Sequence, residues 1–130
     1  MRREIYSGRL KLHGQEDSET LLAGFNYAVS LRDLQHFDEA RSLLRKMMPI
    51  ARRVLGDQHI VMFRMKKVYA EAQWRDDGAT LDDLREAVNS LEDLAPTARR
   101  VLGGAHPNTS AIEEALRDAR ATLRARETSV

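Results

Sequence analysis

Pro49-Ile50-Ala51-Arg52-Arg53-Val54-Leu55-Gly56-Asp57-Gln58-His59 returns 47 residues later as Pro96-Thr97-Ala98-Arg99-Arg100-Val101-Leu102-Gly103-Gly104-Ala105-His106, with eight of eleven positions identical. A copied unit cannot bury its apolar face alone and has to lean on its neighbours, so the duplication predicts an elongated array of stacked units. Arrays of this kind hold other proteins far more often than they do chemistry.

Composition narrows the classes. The chain has 130 residues, one domain's worth, and Leu, Ala, Arg and Glu dominate a sequence that is 42% hydrophobic but only 5% aromatic. Lys and Arg number 21 against 20 Asp and Glu, a formal charge of +1. No bulk field therefore draws the chain onto nucleic acid or an anionic membrane. The absence of cysteine removes disulfides, thiolate-zinc sites and thiol nucleophiles, and fits a reducing compartment. No window approaches the roughly 18 uninterrupted apolar residues of a membrane helix, and no signal-peptide pattern opens the chain. The expected location is cytoplasmic.

Apolar spacing predicts helices throughout and no strand. Ile5, Tyr6, Arg9, Leu10 and Leu12 mark a short helix over 2–12 that reaches Gly14. Asp17 or Ser18 suits the N-cap of a second helix, from Glu19 to about Asp33, striped by Leu21, Leu22, Phe25, Ala28, Val29 and Leu31. After a turn at Gln35-His36, a third helix runs from Phe37 to about Leu55 and stops at Gly56. A fourth spans about Ile60 to Arg75, and Asp76-Asp77-Gly78 breaks it. Thr80-Leu81-Asp82-Asp83 is a capping-box signature for a fifth helix ending near Leu102, and Pro107 opens a sixth carrying Ile112, Leu116, Ala119 and Leu123. Pro49 and Pro96 fall inside helical patterns, where a kink or a break is expected.

Gly14, Gly56 and Gly103 align as loop glycines at spacings of 42 and 47 residues. Tyr27-Ala28 matches Tyr69-Ala70 at the shorter spacing, and Glu39-Ala40 matches Glu86-Ala87 at the longer one, which puts a five-residue insertion around Asp76–Thr80. The expected domain is thus one array over 1–130: a half-unit at 1–14 (helix B), units at 15–56 and 57–103, and a capping half-unit at 104–130 (helix A).

In this register, Leu-Gly-x-x-His-Pro-x-Thr leading into helix A, and a bulky residue with Glu-Ala opening helix B, resembles the tetratricopeptide repeats of kinesin light chains. Leu102 to Thr109 matches the loop fully; Leu55-Gly56-Asp57-Gln58-His59 matches until Ile60 replaces the proline; Gly14 to Thr20 shares the glycine and threonine. The resemblance implies a right-handed all-α solenoid of antiparallel helix pairs. It also implies a partner-binding concave face lined by A helices, where the family commonly carries an asparagine. Asn26 fills that place in the first unit, Val68 in the second and Ala115 in the third. No heptad region accompanies the repeats, so the resemblance implies the repeat fold and not cargo transport.

The candidate chemistry is thin. His13, His36, His59 and His106 lack helical metal-site spacing, and the recurrence of His59 and His106 favours bracing a loop. Asp76, Asp77, Asp82 and Asp83 sit where carboxylates cap helices. Arg52-Arg53 and Arg99-Arg100 suit helix C-termini, with contact to an acidic partner as the alternative. Arg117, Arg120, Arg124 and Arg126, interleaved with Glu113, Glu114, Asp118 and Glu127, are expected to pair i,i+4 on a solvated face. Trp74 either packs under the extended turn or anchors an interface.

No catalytic, metal or cofactor site is expected, and the chain is not read as an enzyme. The expected function is a protein–protein scaffold that binds a peptide or protein through Phe25, Asn26, Arg32, Arg64, Lys67 and Glu71 on the concave face. Nucleic acid and membrane are not expected partners. Two alternatives stand beside it: self-association through the half-unit ends at Leu10 and Leu123, giving a homo-oligomer, and a regulatory fragment of a larger signalling protein.

Overall fold

A computed structural model describes residues 2–14 and 17–129, and among these the chain is helical with no strand. Six helices follow in order: α1 (Arg2–His13), α2 (Ser18–Asp33), α3 (Phe37–Leu55), α4 (Ile60–Trp74), α5 (Leu81–Leu102) and α6 (Pro107–Thr128). The side chains of Leu12 and His13, one expected in an apolar stripe and one a candidate imidazole, lie outside those described, as do residues 15 and 16.

The loops repeat as the sequence repeats. Gly14, Gly56 and Gly103 all take left-handed φ, at 81°, 91° and 96°. Each N–H donates back into the helix it ends, to the carbonyls of Leu10, Arg52 and Arg99 at 2.9–3.0 Å. The histidines then act as N-caps: Nδ1 of His59 accepts from Val61 N–H and Nδ1 of His106 from Asn108 N–H, both at 3.1 Å. Asp17 does the same for α2 through the N–H groups of Glu19 and Thr20. The expected loop-bracing role of His59 and His106 is thus a capping role that satisfies otherwise orphaned donors.

Threonine in the loop motif joins consecutive helices. Buried Thr20 donates its hydroxyl to the carbonyl of Arg9 on α1, and buried Thr109 donates to Ala98 on α5. Met62 takes this place in α4 and fills it with apolar volume.

The insertion between α4 and α5 divides in two. The α4–α5 loop over 75–80 is longer than the 34–36 turn, and α5 has 22 residues against 19 for α3, so it starts about one turn early. The capping box at that start is complete, with Thr80 Oγ1 accepting from Asp83 N–H and Asp83 Oδ2 accepting from Thr80 N–H. Pro49 and Pro96 break neither helix. Both prolines are exposed, so the carbonyl each leaves without a ladder partner is on the wet side of its helix, where water replaces the missing N–H.

Helices α2, α4 and α6 pack side by side, whereas α1, α3 and α5 each touch only members of that row. A row in mutual contact sits at a smaller radius than a row held apart, so the array curves with α2, α4 and α6 on its inner side. Ala28, Ala40, Ala51, Ala70, Ala72, Ala87, Ala98 and Ala119 are fully buried and let neighbouring helices approach closely. Around them, Phe25, Leu44, Met62 and Met65 fill the space among α2, α3 and α4, while Phe63, Leu91 and Ile112 fill that among α4, α5 and α6. Trp74 packs against the second group, with Arg75 over its ring at 5.3 Å.

Candidate partner-binding face

Of the six residues expected to line the inner face, three meet at one point. Glu71 of α4 accepts from Arg32 Nη1 of α2 at 2.7 Å, and also pairs with Arg75 at 2.9 Å and Lys67 at 3.3 Å. Its carboxylate is almost wholly enclosed, at 4% exposure for the residue. Three cations around one buried anion neutralise it and leave surplus positive charge at the surface. Asp33 takes a share of Arg32 at 3.0 Å.

A second group sits about two turns before Glu71 on α4. The Arg64 guanidinium lies 5.0 Å over the centre of the Phe25 ring, a cation–π contact between α4 and α2. Arg64 and Asn26 are exposed.

Two expected lining residues need correction. Phe25 is 1% exposed and belongs to the core among α2, α3 and α4, because a large ring at the contact between two inner helices is the cheapest filler there. It offers a partner only the guanidinium stacked above it. Glu71 likewise positions cations and presents little surface of its own. Leu22, one turn before Asn26, is exposed, and Arg75 follows the last residue of α4 beside Glu71. Arg32 and Arg75 also border a shallow cleft of about 310 Å³ shared with Asp33, Gln35, Phe37 and Asp77.

The other charged motifs are structural. Arg52 pairs with Asp57 in the next loop and Arg99 with Glu113 on the next helix, so the first arginine of each repeated pair fastens the end of its own helix. The basic residues of α6 do not pair along their own helix as expected. Arg120 reaches Glu92 on α5, Glu127 meets Arg85 on α5, and Arg126 donates to the carbonyl of Ala79 in the α4–α5 loop. Asp76 accepts from Gly78 N–H and faces Arg41. Among the described residues no group of three or more His, Asp or Glu is placed to hold a metal ion, and no helix is long and apolar enough to cross a membrane.

The ends differ. Leu123 packs into the α5–α6 core, and none of the exposed large hydrophobics, Ile5, Leu22, Leu34 and Val54, lies on α6. Leu10 borders a cleft of about 430 Å³ with Tyr6, Leu21, Leu43, Met47 and Ile50.

Residues 26–60 match a tetratricopeptide repeat family model. The chain is an all-α helical-repeat solenoid similar to that family. The matched stretch covers the second half of α2, all of α3 and the first residue of α4, so it contains the 34–36 turn and the Gly56 loop of a tetratricopeptide-type unit. No curated protein and no solved structure matches the chain. Tetratricopeptide repeats generally mediate protein–protein interaction, and catalysis is not their usual role.

Proposed function

We propose that this chain is a protein–protein interaction scaffold that holds a peptide segment of its partner across the inner row of α2, α4 and α6. The loop motif supports a repeat of kinesin light chain type. The corresponding bends at Gly14, Gly56 and Gly103 support units at 15–56 and 57–103 between half-units.

The observation that carries the reading is charge on that face. Arg32, Arg64, Lys67 and Arg75 stand against Glu71 and Asp33, and Glu71 is already enclosed by three of those cations. A partner segment that complements this surface is acidic, with an apolar residue for Leu22. Charge of this kind raises the encounter rate and selects the partner more than it adds affinity. The test is affinity capture from the native source, followed by titration of the captured partner against Arg64→Glu, an exposed position outside the Glu71 cluster. Weaker binding by a variant that keeps its helical fold supports the assignment. Equal affinity removes it.

A further inference from the structure

The groove between α1 and α3 is apolar where its counterpart in the next unit is polar. In the register of the loop glycines, Leu10, Leu43 and Ile50 correspond to Arg52, Ser90 and Thr97, and Lys46 corresponds to Asp93. Helices α1 and α3 each pack on α2 and not on each other, which leaves a cleft of about 430 Å³ between them. Leu21 and Met47 line it as almost wholly enclosed residues, and Tyr6, Leu10, Leu43 and Ile50 as half-buried ones. Gly24 of α2 lets Tyr6 and Met47 seat against the helix backbone, since a Cβ there would stand 2.7–2.8 Å from both. Helices α3 and α5 pack on α4 with Arg52, Ser90 and Thr97 in the corresponding places, so the fold itself does not call for this aliphatic lining.

Charge gives the cleft a direction. Among the described residues, Lys46 is the one charged group that lines it. Lys46 is exposed and, among those residues, has no carboxylate within ion-pair distance. The Thr20 hydroxyl is taken by the Arg9 carbonyl at 3.1 Å, and burial raises the Tyr6 hydroxyl above its ordinary value, so that group stays neutral. A shallower cleft of about 330 Å³ continues past Leu43 and Lys46 to Glu39 and to Asp38, which Arg41 engages. The Glu39 carboxylate disfavours an anion at that end. A ligand anion on Lys46 therefore sends its apolar part the other way, toward Leu10, Leu21 and Ile50.

Size and backbone chemistry select the occupant. The volume is that of a small-molecule site, and the walls are helices whose backbone groups are paired internally. An extended peptide would bring amides that find no partners there, and a helix about 10 Å across is too wide. An alkyl chain brings no polar group. Leu43 and Ile50 stand two turns apart on α3, roughly 10 Å, which is the reach of a chain of medium length. We propose that the α1–α3 cleft binds a free fatty acid of medium chain length, with its carboxylate on Lys46 and its alkyl chain against Leu10, Leu21, Leu43 and Ile50. Burial of the chain supplies most of the affinity, and the exposed ion pair sets the orientation. The cleft lies between two outer helices and does not depend on the partner-binding face.

The experiment is a nuclear magnetic resonance titration of the full chain with decanoate, with decyltrimethylammonium, butyrate and acetyl-Leu-Glu-Leu-amide as comparators. Saturable shifts of the Leu10, Leu43 and Ile50 methyl groups are expected for decanoate alone. Lys46→Asp, which copies Asp93 at an exposed position and so keeps the fold, is expected to weaken decanoate binding about tenfold at low ionic strength. Ile50→Thr, which copies Thr97, is expected to weaken it several-fold with helical content retained. Absence of a saturable shift, an equal response to decyltrimethylammonium, or unchanged affinity in Lys46→Asp would overturn the proposal. A saturable response to the tripeptide where decanoate gives none would also overturn it and assign the cleft to a protein segment.

Discussion

Arg32 of α2 and Glu71 of α4 meet at 2.7 Å across the inner face, both largely enclosed, and so join two units of the array through one ion pair. Glu71 has two further cations and Arg32 has Asp33, so the two ends of the bond are not equally replaceable. Glu71→Ala leaves three cations without their common anion and is expected to cost about 3 kcal/mol in urea unfolding. Arg32→Met leaves Glu71 with Lys67 and Arg75 and is expected to cost about 1 kcal/mol. A double-mutant cycle with Glu71→Gln should show a coupling on the order of 1 kcal/mol; zero coupling would remove the pair as a link between units.

Gly56 and Gly103 have φ of 91° and 96° with ψ near 150°, a region that side-chain-bearing residues scarcely enter. An added Cβ meets no atom within 4 Å at either site, so the cost of alanine is conformational and not steric. Gly56→Ala and Gly103→Ala are each expected to lose about 1–3 kcal/mol, and the double variant their sum, since the loops are separate. Unequal losses in chemical denaturation would mean that the two bends do different work.

The acid limb of stability has identifiable sources. Hydrogen bonds from Lys66 and Arg52 hold the Asp57 carboxyl below its ordinary value, and the Thr80 backbone N–H does the same for Asp83. A depressed carboxyl stabilises the fold above its unfolded value, and that contribution is lost as pH falls through the folded one. Thermal midpoints should therefore decline as pH drops below the usual aspartate range. Asp57→Asn should flatten the decline slightly, since the group is mostly exposed and solvent screens its pairs. A steeper decline in that variant would contradict the assignment.

Helix limits, the glycine bends and the Thr80 capping box were readable because each rests on residues adjacent in the chain, where capping and turn chemistry act locally. The cap by His59 was half legible: its recurrence pointed to the loop, but nothing in the sequence distinguishes Nδ1 as the acceptor. The site was less legible for a physical reason. Arg32 and Glu71 lie on different units, and only the packing of α2 on α4 decides that they meet. That same packing buries Phe25, whose helical spacing equally suits a core position or a groove.

The most direct test of the central claim is hydrogen–deuterium exchange on the chain with and without its captured partner. Slowed exchange concentrated on residues 22–33 of α2 and 60–75 around α4, extending along the inner row no further than α6, with α3 and the outer surface of α5 unchanged, is the expected footprint. Protection concentrated on α3 and α5, with α2 and α4 exchanging as in the free chain, would contradict it.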